Sequence, residues 1–133
     1  MLLKDKHLYL VEDDPTNFAI IRTILRAQGA NTMLDHWGDT SLQNLLNYPF
    51  NIDLFILDLM LPGNVSGYDV YDALTKHEKF KDVPAVIVSA ADPDSEIPKA
   101  KERGIHGFIS KPINRHHFPN QILSLIKGEE IWE

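Results

Sequence analysis

The stretch from Leu54 to Leu61 reads Leu-Phe-Ile-Leu-Asp-Leu-Met-Leu, so a single carboxylate, Asp58, interrupts an otherwise apolar run. Its first four residues are apolar without a break, which is typical of a strand that is buried on both faces. Two further runs of this kind are Leu8–Val11 and Ala85–Val88. None of the three alternates between apolar and polar residues, as a strand with one solvent face would. The three runs therefore favour a parallel sheet that is covered by helices.

The chain contains five apolar runs, each followed by a segment in which apolar residues recur with helical spacing. The runs are His7–Val11, Asn31–His36, Asp53–Leu57, Pro84–Ser89 and Gly107–Ser110. Strict alternation of strand and helix implies right-handed crossovers and an open, doubly wound parallel sheet, an α/β fold. In such sheets, ligands bind beyond the carboxyl ends of the strands.

The fourth helical segment has the weakest pattern, because Pro93 and Pro98 both fall within it. A proline deep inside a helix costs about 3 kcal/mol. If Ser95 is the N-cap, Pro98 stands at the third helical position, where the backbone needs no donor. We therefore expect a short helix from about Glu96 to Arg103 that is ended by Gly104.

Length and composition are those of a single globular domain. The chain has 133 residues, of which 44% are hydrophobic and 24% charged, and both values are ordinary for a soluble protein. It contains no cysteine, which excludes a disulfide framework and a thiolate metal site. We expect one domain over residues 1–133, with a core at about 7–127 and a polar tail at 128–133. The tail carries Trp132, and the sequence leaves open whether it folds back or stays free.

The charge pattern argues against direct binding of nucleic acid. The net charge is −6 and the basic residues are scattered, whereas phosphate backbones recruit clustered lysine and arginine. No apolar run approaches the roughly 20 residues that span a bilayer, and residues 1–6 do not resemble a signal peptide. We expect a cytoplasmic protein with no membrane insertion.

Polar side chains stand at the predicted carboxyl ends of four strands. Glu12–Asp14 follow the first strand, Asp58 the third, Ser89 ends the fourth, and Lys111 follows the fifth. Clustered carboxylates repel one another in a low-dielectric cleft, so they require positive partners. Mg²⁺ suits such oxygens, because it takes one or two protein carboxylates and keeps several waters. A simpler alternative stays open, in which Asp58 and Lys111 form a buried salt bridge beside solvated acids.

Four segments together resemble the signature segments of response-regulator receiver domains, of the single-domain, chemotaxis-regulator-like kind that acts in two-component signalling. They are Val11–Pro15, Ile56–Gly63, Val88–Ala90 and Ser110–Pro112, and their order and spacing also match. The similarity extends over about residues 7–127. It implies a five-stranded, flavodoxin-like sheet with strand order 2-1-3-4-5.

The resemblance implies a phospho-acceptor and a metal site. Asp58 corresponds to the phosphorylated aspartate. Glu12 and Asp13, together with Asp58 and the backbone carbonyl of Met60, correspond to the ligands of Mg²⁺, for which Mn²⁺ is a possible substitute.

Three further residues correspond to groups that bind the phosphoryl oxygens or respond to them. Ser89 and Lys111 would contact those oxygens, and the Lys111–Pro112 peptide bond would be cis, which proline permits at low cost. Phe108 stands where the family has an aromatic residue that turns inward after phosphorylation. Because phenylalanine has no hydroxyl, its outward position would expose an apolar ring.

The function implied is that of a stand-alone response regulator, a phosphoprotein of a phosphorelay. It would receive its phosphoryl group from a cognate histidine kinase or phosphotransfer protein. It would signal through its fourth helix, fifth strand and fifth helix, to a downstream protein target or as a phosphorylation-dependent homodimer. It is no enzyme in the usual sense, although it would autocatalyse its own phosphorylation and dephosphorylation. Met60 and Ala91, each two residues past a strand-end group, lack polar side chains and predict slow self-dephosphorylation.

One departure from the family pattern and three other classes of protein bear on this interpretation. The loop Leu61–Tyr68 looks one residue longer than is usual, so we expect a displaced start of the third helix. A phosphatase of the haloacid dehalogenase type requires aspartate where Glu12 stands. A nucleotide binder of the same topology needs a phosphate loop, but the loop here is acidic. The main alternative is a phosphorylation-independent pseudo-receiver that only binds proteins, although such domains usually lack a site residue and none is missing here.

Overall fold

The computed structural model describes all 133 residues and contains one parallel sheet of six strands. The strands are β1 (His7–Val11), β2 (Asn31–Asp35), β3 (Leu54–Leu57), β4 (Ala85–Ser89), β5 (Gly107–Ser110) and β6 (Ile131–Trp132). The helices are α1 (Pro15–Ala27), α2 (Ser41–Leu46), α3 (Gly67–Thr75), α4 (Pro93–Glu102) and α5 (Phe118–Ile126). The strand order β2-β1-β3-β4-β5-β6 confirms the α/β class and the predicted order of the first five strands. β6 is an addition that the five-stranded prediction did not contain.

The central strands are buried on both faces, as their unbroken apolar runs indicate. All residues of β3 and β4 are buried. One face of the sheet packs Tyr9 and Phe55 into a core with α2, α3 and α4, and the other packs Leu10 and Ile56 against α1 and α5. Each such side chain stabilises the fold by about 1.5–3 kcal/mol when it is fully buried. The two core layers hold the strands in a register that fixes where each strand ends.

The predicted start of α4 is wrong. The helix begins at Pro93 instead of Glu96, and its N-cap is Asp92, whose carboxylate accepts a hydrogen bond from the Asp94 amide at 3.1 Å. Proline suits the first helical position, because no intrahelical donor is needed there. Pro98 then lies inside the helix and removes the amide that would bond the Asp94 carbonyl. Both residues are exposed, so water can hydrate that carbonyl. The end of α4 matches the prediction, with Gly104 at a φ of +86°.

The segment at residues 128–133 folds back onto the sheet. Ile131 and Trp132 form β6, which pairs in parallel with Gly107 and Phe108 of β5. The edge of β5 is therefore covered by the chain itself. None of the helices combines the length and the apolar character that crossing a membrane requires.

Candidate functional site

The register of the sheet brings the predicted strand-end residues to one edge. Val11 of β1 lies opposite Leu57 of β3, and the Asp58 amide donates to the Val11 carbonyl at 3.0 Å. The next residues along these strands, Glu12 and Asp58, are thus neighbours. On the other side, the Lys111 amide donates to the Ser89 carbonyl at 2.9 Å. Four elements therefore deliver two carboxylates, a hydroxyl and an ammonium to the same place.

Lys111 contacts both carboxylates. Its Nζ lies 2.9 Å from Glu12 Oε1 and 3.5 Å from Asp58 Oδ2. The side chains of Lys111 and Asp58 are 15% and 14% exposed, and that of Glu12 only 2%. The simple Asp58–Lys111 salt bridge is therefore present only as the longer of two contacts. When an ion pair is buried, the free energy lost by removing both charges from water is barely offset by their attraction. This arrangement therefore favours a functional role of the pair over a purely stabilising one.

The site carries more negative charge than Lys111 can offset. Burial, and next the adjacent Asp58 carboxylate, raise the pKa of Glu12 to about 7, although the bond from Lys111 acts in the opposite direction. A buried carboxylate loses its hydration, and a second carboxylate nearby disfavours its ionised form. The protein groups alone therefore disfavour the state in which Glu12 and Asp58 are both ionised. An additional cation would resolve this.

The Asp58 carboxylate has one oxygen fixed and one directed toward Lys111. Oδ1 accepts a hydrogen bond from the Leu59 amide at 2.8 Å, while Oδ2 is the atom near Lys111. Ser89 is 1% exposed, and its Oγ accepts a bond from the Ala91 amide at 3.1 Å. The Lys111–Pro112 peptide bond is cis.

The remaining predicted metal ligands lie at the rim. Asp13 is exposed, and Met60 is 74% exposed. No three carboxylate or imidazole side chains converge into a closed metal cage. Asp14 is turned away from the site, because its carboxylate caps α1 through the Thr16 amide at 2.8 Å. An ion at this edge would be held by few protein groups and by water.

The ring of Phe108 is buried, so it is not in the outward position in which it would be exposed. The residue is fully buried within the core on the α2, α3 and α4 side. Trp132 of β6 packs against the same core and lies beside Phe108 in the sheet. Any movement of Phe108 must therefore involve the strand that covers it.

Gly67, the first residue of α3, is a site residue that the sequence prediction missed. A Cβ atom there would lie 2.3 Å from the backbone carbonyl oxygen of Asp58, a distance that no side chain tolerates. The helix begins against the backbone of Asp58, with Ser66 as N-cap in a capping box with Asp69. A glycine at the start of the helix that follows the Asp58 loop was the available signal.

The comparison with protein families agrees with this geometry. The profile of the family described as the response regulator receiver domain matches residues 8–123. The chain therefore belongs to the receiver domains of two-component response regulators.

Individual curated proteins are similar to this chain over most of its length. It is 33% identical over 121 residues to the probable transcriptional regulator ycf29 of Pyropia yezoensis, with 91% of this chain and 51% of that protein aligned. The chain thus spans about half the length of that relative. It is 29% identical over 121 residues to the polar-differentiation response regulator DivK of Brucella ovis, with 91% of this chain and 96% of that protein aligned.

A solved structure supports the fold. The receiver domain of the sensor histidine kinase PA1611 from Pseudomonas aeruginosa, with a magnesium ion coordinated in its active site cleft, superposes with a TM-score of 0.78. The two chains are 22% identical, and the alignment covers 92% of this chain and 98% of that domain.

Proposed function

We propose that Asp58 accepts a phosphoryl group from a histidine kinase or a phosphotransfer protein in a Mg²⁺-dependent reaction, and that the chain signals as a single-domain regulator in the cytoplasm. The observation that carries the proposal is the setting of the Asp58 carboxylate. One of its oxygens is held by the Leu59 amide and the other lies 3.5 Å from the ammonium of Lys111. An oriented oxygen beside a positive charge is what a phosphoryl acceptor requires.

The transfer itself needs little from the protein beyond orientation and charge. An oxygen of Asp58 attacks the phosphorus and forms a P–O bond while the bond from phosphorus to the donor breaks. The donor leaves with the electron pair, as a neutral imidazole when a phosphohistidine is protonated on its other nitrogen. Negative charge spreads over the three equatorial oxygens in transit, and Lys111 is placed to offset it. The product is an acyl phosphate on Asp58.

The residues present fit Mg²⁺. Glu12, Asp13 and Asp58, with the carbonyl of Met60, would hold the ion, and water would complete its shell. Burial, and next the adjacent Asp58 carboxylate, raise the pKa of Glu12, and this crowding of two carboxylates in a buried place is the property of the chain that favours a divalent cation. When bound, the ion would neutralise charge on the phosphoryl oxygens. The magnesium ion in the cleft of the Pseudomonas domain supports this assignment.

Phosphorylation would change the structure around Ser89 and β5. A phosphoryl group brings charge and three acceptor oxygens, to which Ser89 at the end of β4 and Lys111 just after β5 would donate hydrogen bonds. We propose that their rearrangement is transmitted through Phe108 to the face formed by α4, β5 and α5. A downstream protein or a second copy of the chain would bind there.

Intact mass spectrometry with acetyl phosphate tests the proposal. The expected result is a single phosphoryl adduct that forms with Mg²⁺, is lost with EDTA and is absent from Asp58→Asn. Asp82→Asn, a change at an exposed aspartate outside the site, is the matched control and should be labelled normally. No adduct in a folded chain, with acetyl phosphate or with a histidine kinase, would favour the phosphorylation-independent interaction module instead.

A further inference from the structure

Residues Glu129–Glu133, here named the β6 segment, close the edge of the sheet beside β5. The Ile131 amide donates to the His106 carbonyl at 3.3 Å, and the Glu133 amide donates to the Phe108 carbonyl at 2.8 Å. The β6 segment is therefore held against β5 by backbone hydrogen bonds, as an added strand of the sheet. A strand of two residues makes few such bonds, and each stabilises by only about 0.5–1.5 kcal/mol net.

Side chains from both flanking helices also hold the β6 segment. The ammonium of Lys101 in α4 lies 5.0 Å from the ring centre of Trp132. From α5, Gln121 Nε2 donates to Glu133 Oε2 at 2.6 Å. The indole N–H of Trp132 donates to Glu130 Oε1 at 2.9 Å. The segment thus spans α4, β5 and α5, which is the face proposed for signalling.

β5 is shaped for this close approach. A Cβ atom at Gly107 would lie 2.8 Å from the Ile131 carbonyl oxygen and 3.0 Å from Leu125 Cδ2. Any side chain at Gly107 would therefore push the β6 segment away. Glycine at position 107 of β5 is therefore a second observation, separate from the hydrogen bonds, that fits the docking of the β6 segment.

The bound segment is linked to the phospho-acceptor site through one residue. The Ser110 Oγ donates to the main-chain oxygen of Glu133 at 2.8 Å, and the Ser110 amide donates to the same oxygen at 3.4 Å. The next residue is Lys111, whose Nζ now lies closer to Glu12 than to Asp58. A phosphoryl group on Asp58 would draw Lys111 toward it, and a shift of the Lys111 backbone would displace the adjacent Ser110.

We propose that the β6 segment is an intramolecular ligand that covers the signalling face, and that phosphorylation of Asp58 releases it. This inference rests on the proposed function, because it names the regulation of the same site. Displacement of Ser110 removes bonds at Glu133, and the short strand has too few others to stay bound. Release uncovers the edge of β5, where a partner can add a strand of its own. Because coupling is reciprocal, loss of the segment must favour the phosphorylated state by the same factor.

Tryptophan fluorescence reports the release directly. The chain has two tryptophans, so Trp37→Phe leaves Trp132 as the only one. With Mg²⁺ and beryllium fluoride, a mimic of the phosphoryl group on a carboxylate, the acrylamide quenching constant of Trp132 should rise about twofold or more as the docked population falls. The same protein with Asp58→Asn should show no change.

Binding of beryllium fluoride tests the reciprocal effect. A chain that ends at Gly128 should bind it about fivefold or more tightly than the full chain, in the presence of Mg²⁺. Trp132→Ala should shift the affinity in the same direction. Lys127→Ala, at an exposed residue outside the segment, should leave it unchanged.

Parallel mass spectrometry with acetyl phosphate separates the possible failures. No adduct in either chain would overturn the proposed function, and the coupled release with it. An adduct on Asp58 with unchanged or reduced quenching of Trp132 would overturn the release alone. A dimer in gel filtration that requires residues 129–133 would show that the segment docks on a second copy, and would overturn the intramolecular assignment.

Discussion

At the residue scale, Lys111 is the cation that contacts both Glu12 and Asp58. Lys111→Met removes the charge that offsets the transferred phosphoryl oxygens, so the rate of adduct formation from acetyl phosphate should fall about 10²-fold. Time-resolved intact mass spectrometry measures it. Lys81→Met is the matched control, since Lys81 is half exposed and pairs only with Glu78 on the surface. Equal rates for Lys111→Met and the unmodified chain would refute the role assigned to Lys111.

We expect Met60 to affect the lifetime of the proposed acyl phosphate on Asp58. Its side chain is 74% exposed at the rim of the site and has no group that could orient an attacking water. We expect slow self-dephosphorylation, and Met60→Asn should accelerate it because an amide can position that water. Loss of the adduct is followed by mass after the donor is removed, with Met60→Leu as control. A lifetime of only seconds in the unmodified chain would contradict the expectation.

At the scale of elements, the position of α3 depends on Gly67. Gly67→Ala places a methyl group 2.3 Å from the Asp58 carbonyl oxygen, so the helix must move away from the acceptor. We expect a loss of about 1–3 kcal/mol in the free energy of unfolding, measured by urea denaturation, and slower phosphorylation. Gly38→Ala is the control, because nothing lies within 4 Å of a Cβ at that position. Equal stability of the two variants would argue against the close approach.

A hydrogen-bonded network joins β1, β2 and α2. The buried Tyr9 hydroxyl donates to Asp35 Oδ2 at 2.7 Å. Burial alone would raise the pKa of Asp35, but hydrogen bonds from Tyr9, from Ser41 and from two backbone amides lower it. The ionised Asp35 therefore contributes stability that is present above its unfolded pKa and is lost as the pH falls through its folded pKa.

Tyr9→Phe should lower the free energy of unfolding by about 1–2 kcal/mol near neutral pH. The difference from the unmodified chain should shrink at a pH below the ordinary range of an aspartate pKa, because Asp35 becomes protonated first in the unfolded state and then, since its folded pKa is lowered, in the folded one. Urea denaturation at both pH values measures it. In Tyr71→Phe the lost hydroxyl donates to the Gly104 carbonyl, so that variant should lose stability without the pH dependence. A pH-independent effect of Tyr9→Phe would contradict the assignment.

The strands and helices also show how much of the fold can be predicted from the sequence. Unbroken apolar runs predict β1, β3 and β4 well, because burial on both faces leaves no room for polar residues. The predicted start of α4 is wrong because a cap at Ser95 would keep Pro98 at the third helical position, whereas Asp92 caps the helix. The structure instead places Pro98 in the helix interior, at an exposed position.

At the scale of the whole molecule, the site follows from topology. The rule that parallel strands present their carboxyl ends at one edge suffices to bring Glu12, Asp58, Ser89 and Lys111 together. Two features lay beyond the sequence: the preference of Lys111 for Glu12 and the docking of β6 on β5. Each depends on distances of a few ångströms between segments far apart in the chain, and residue spacing does not encode such distances.

The central claim is that Asp58 is the phosphoryl acceptor, and reductive trapping tests it most directly. Borohydride reduces an aspartyl phosphate to homoserine, so the protein is treated with acetyl phosphate and Mg²⁺, reduced, digested and sequenced by mass spectrometry. The account predicts homoserine at position 58 and at no other aspartate, including Asp13 and Asp14. Homoserine at another position, or none in a chain that carries a phosphoryl adduct, would contradict it.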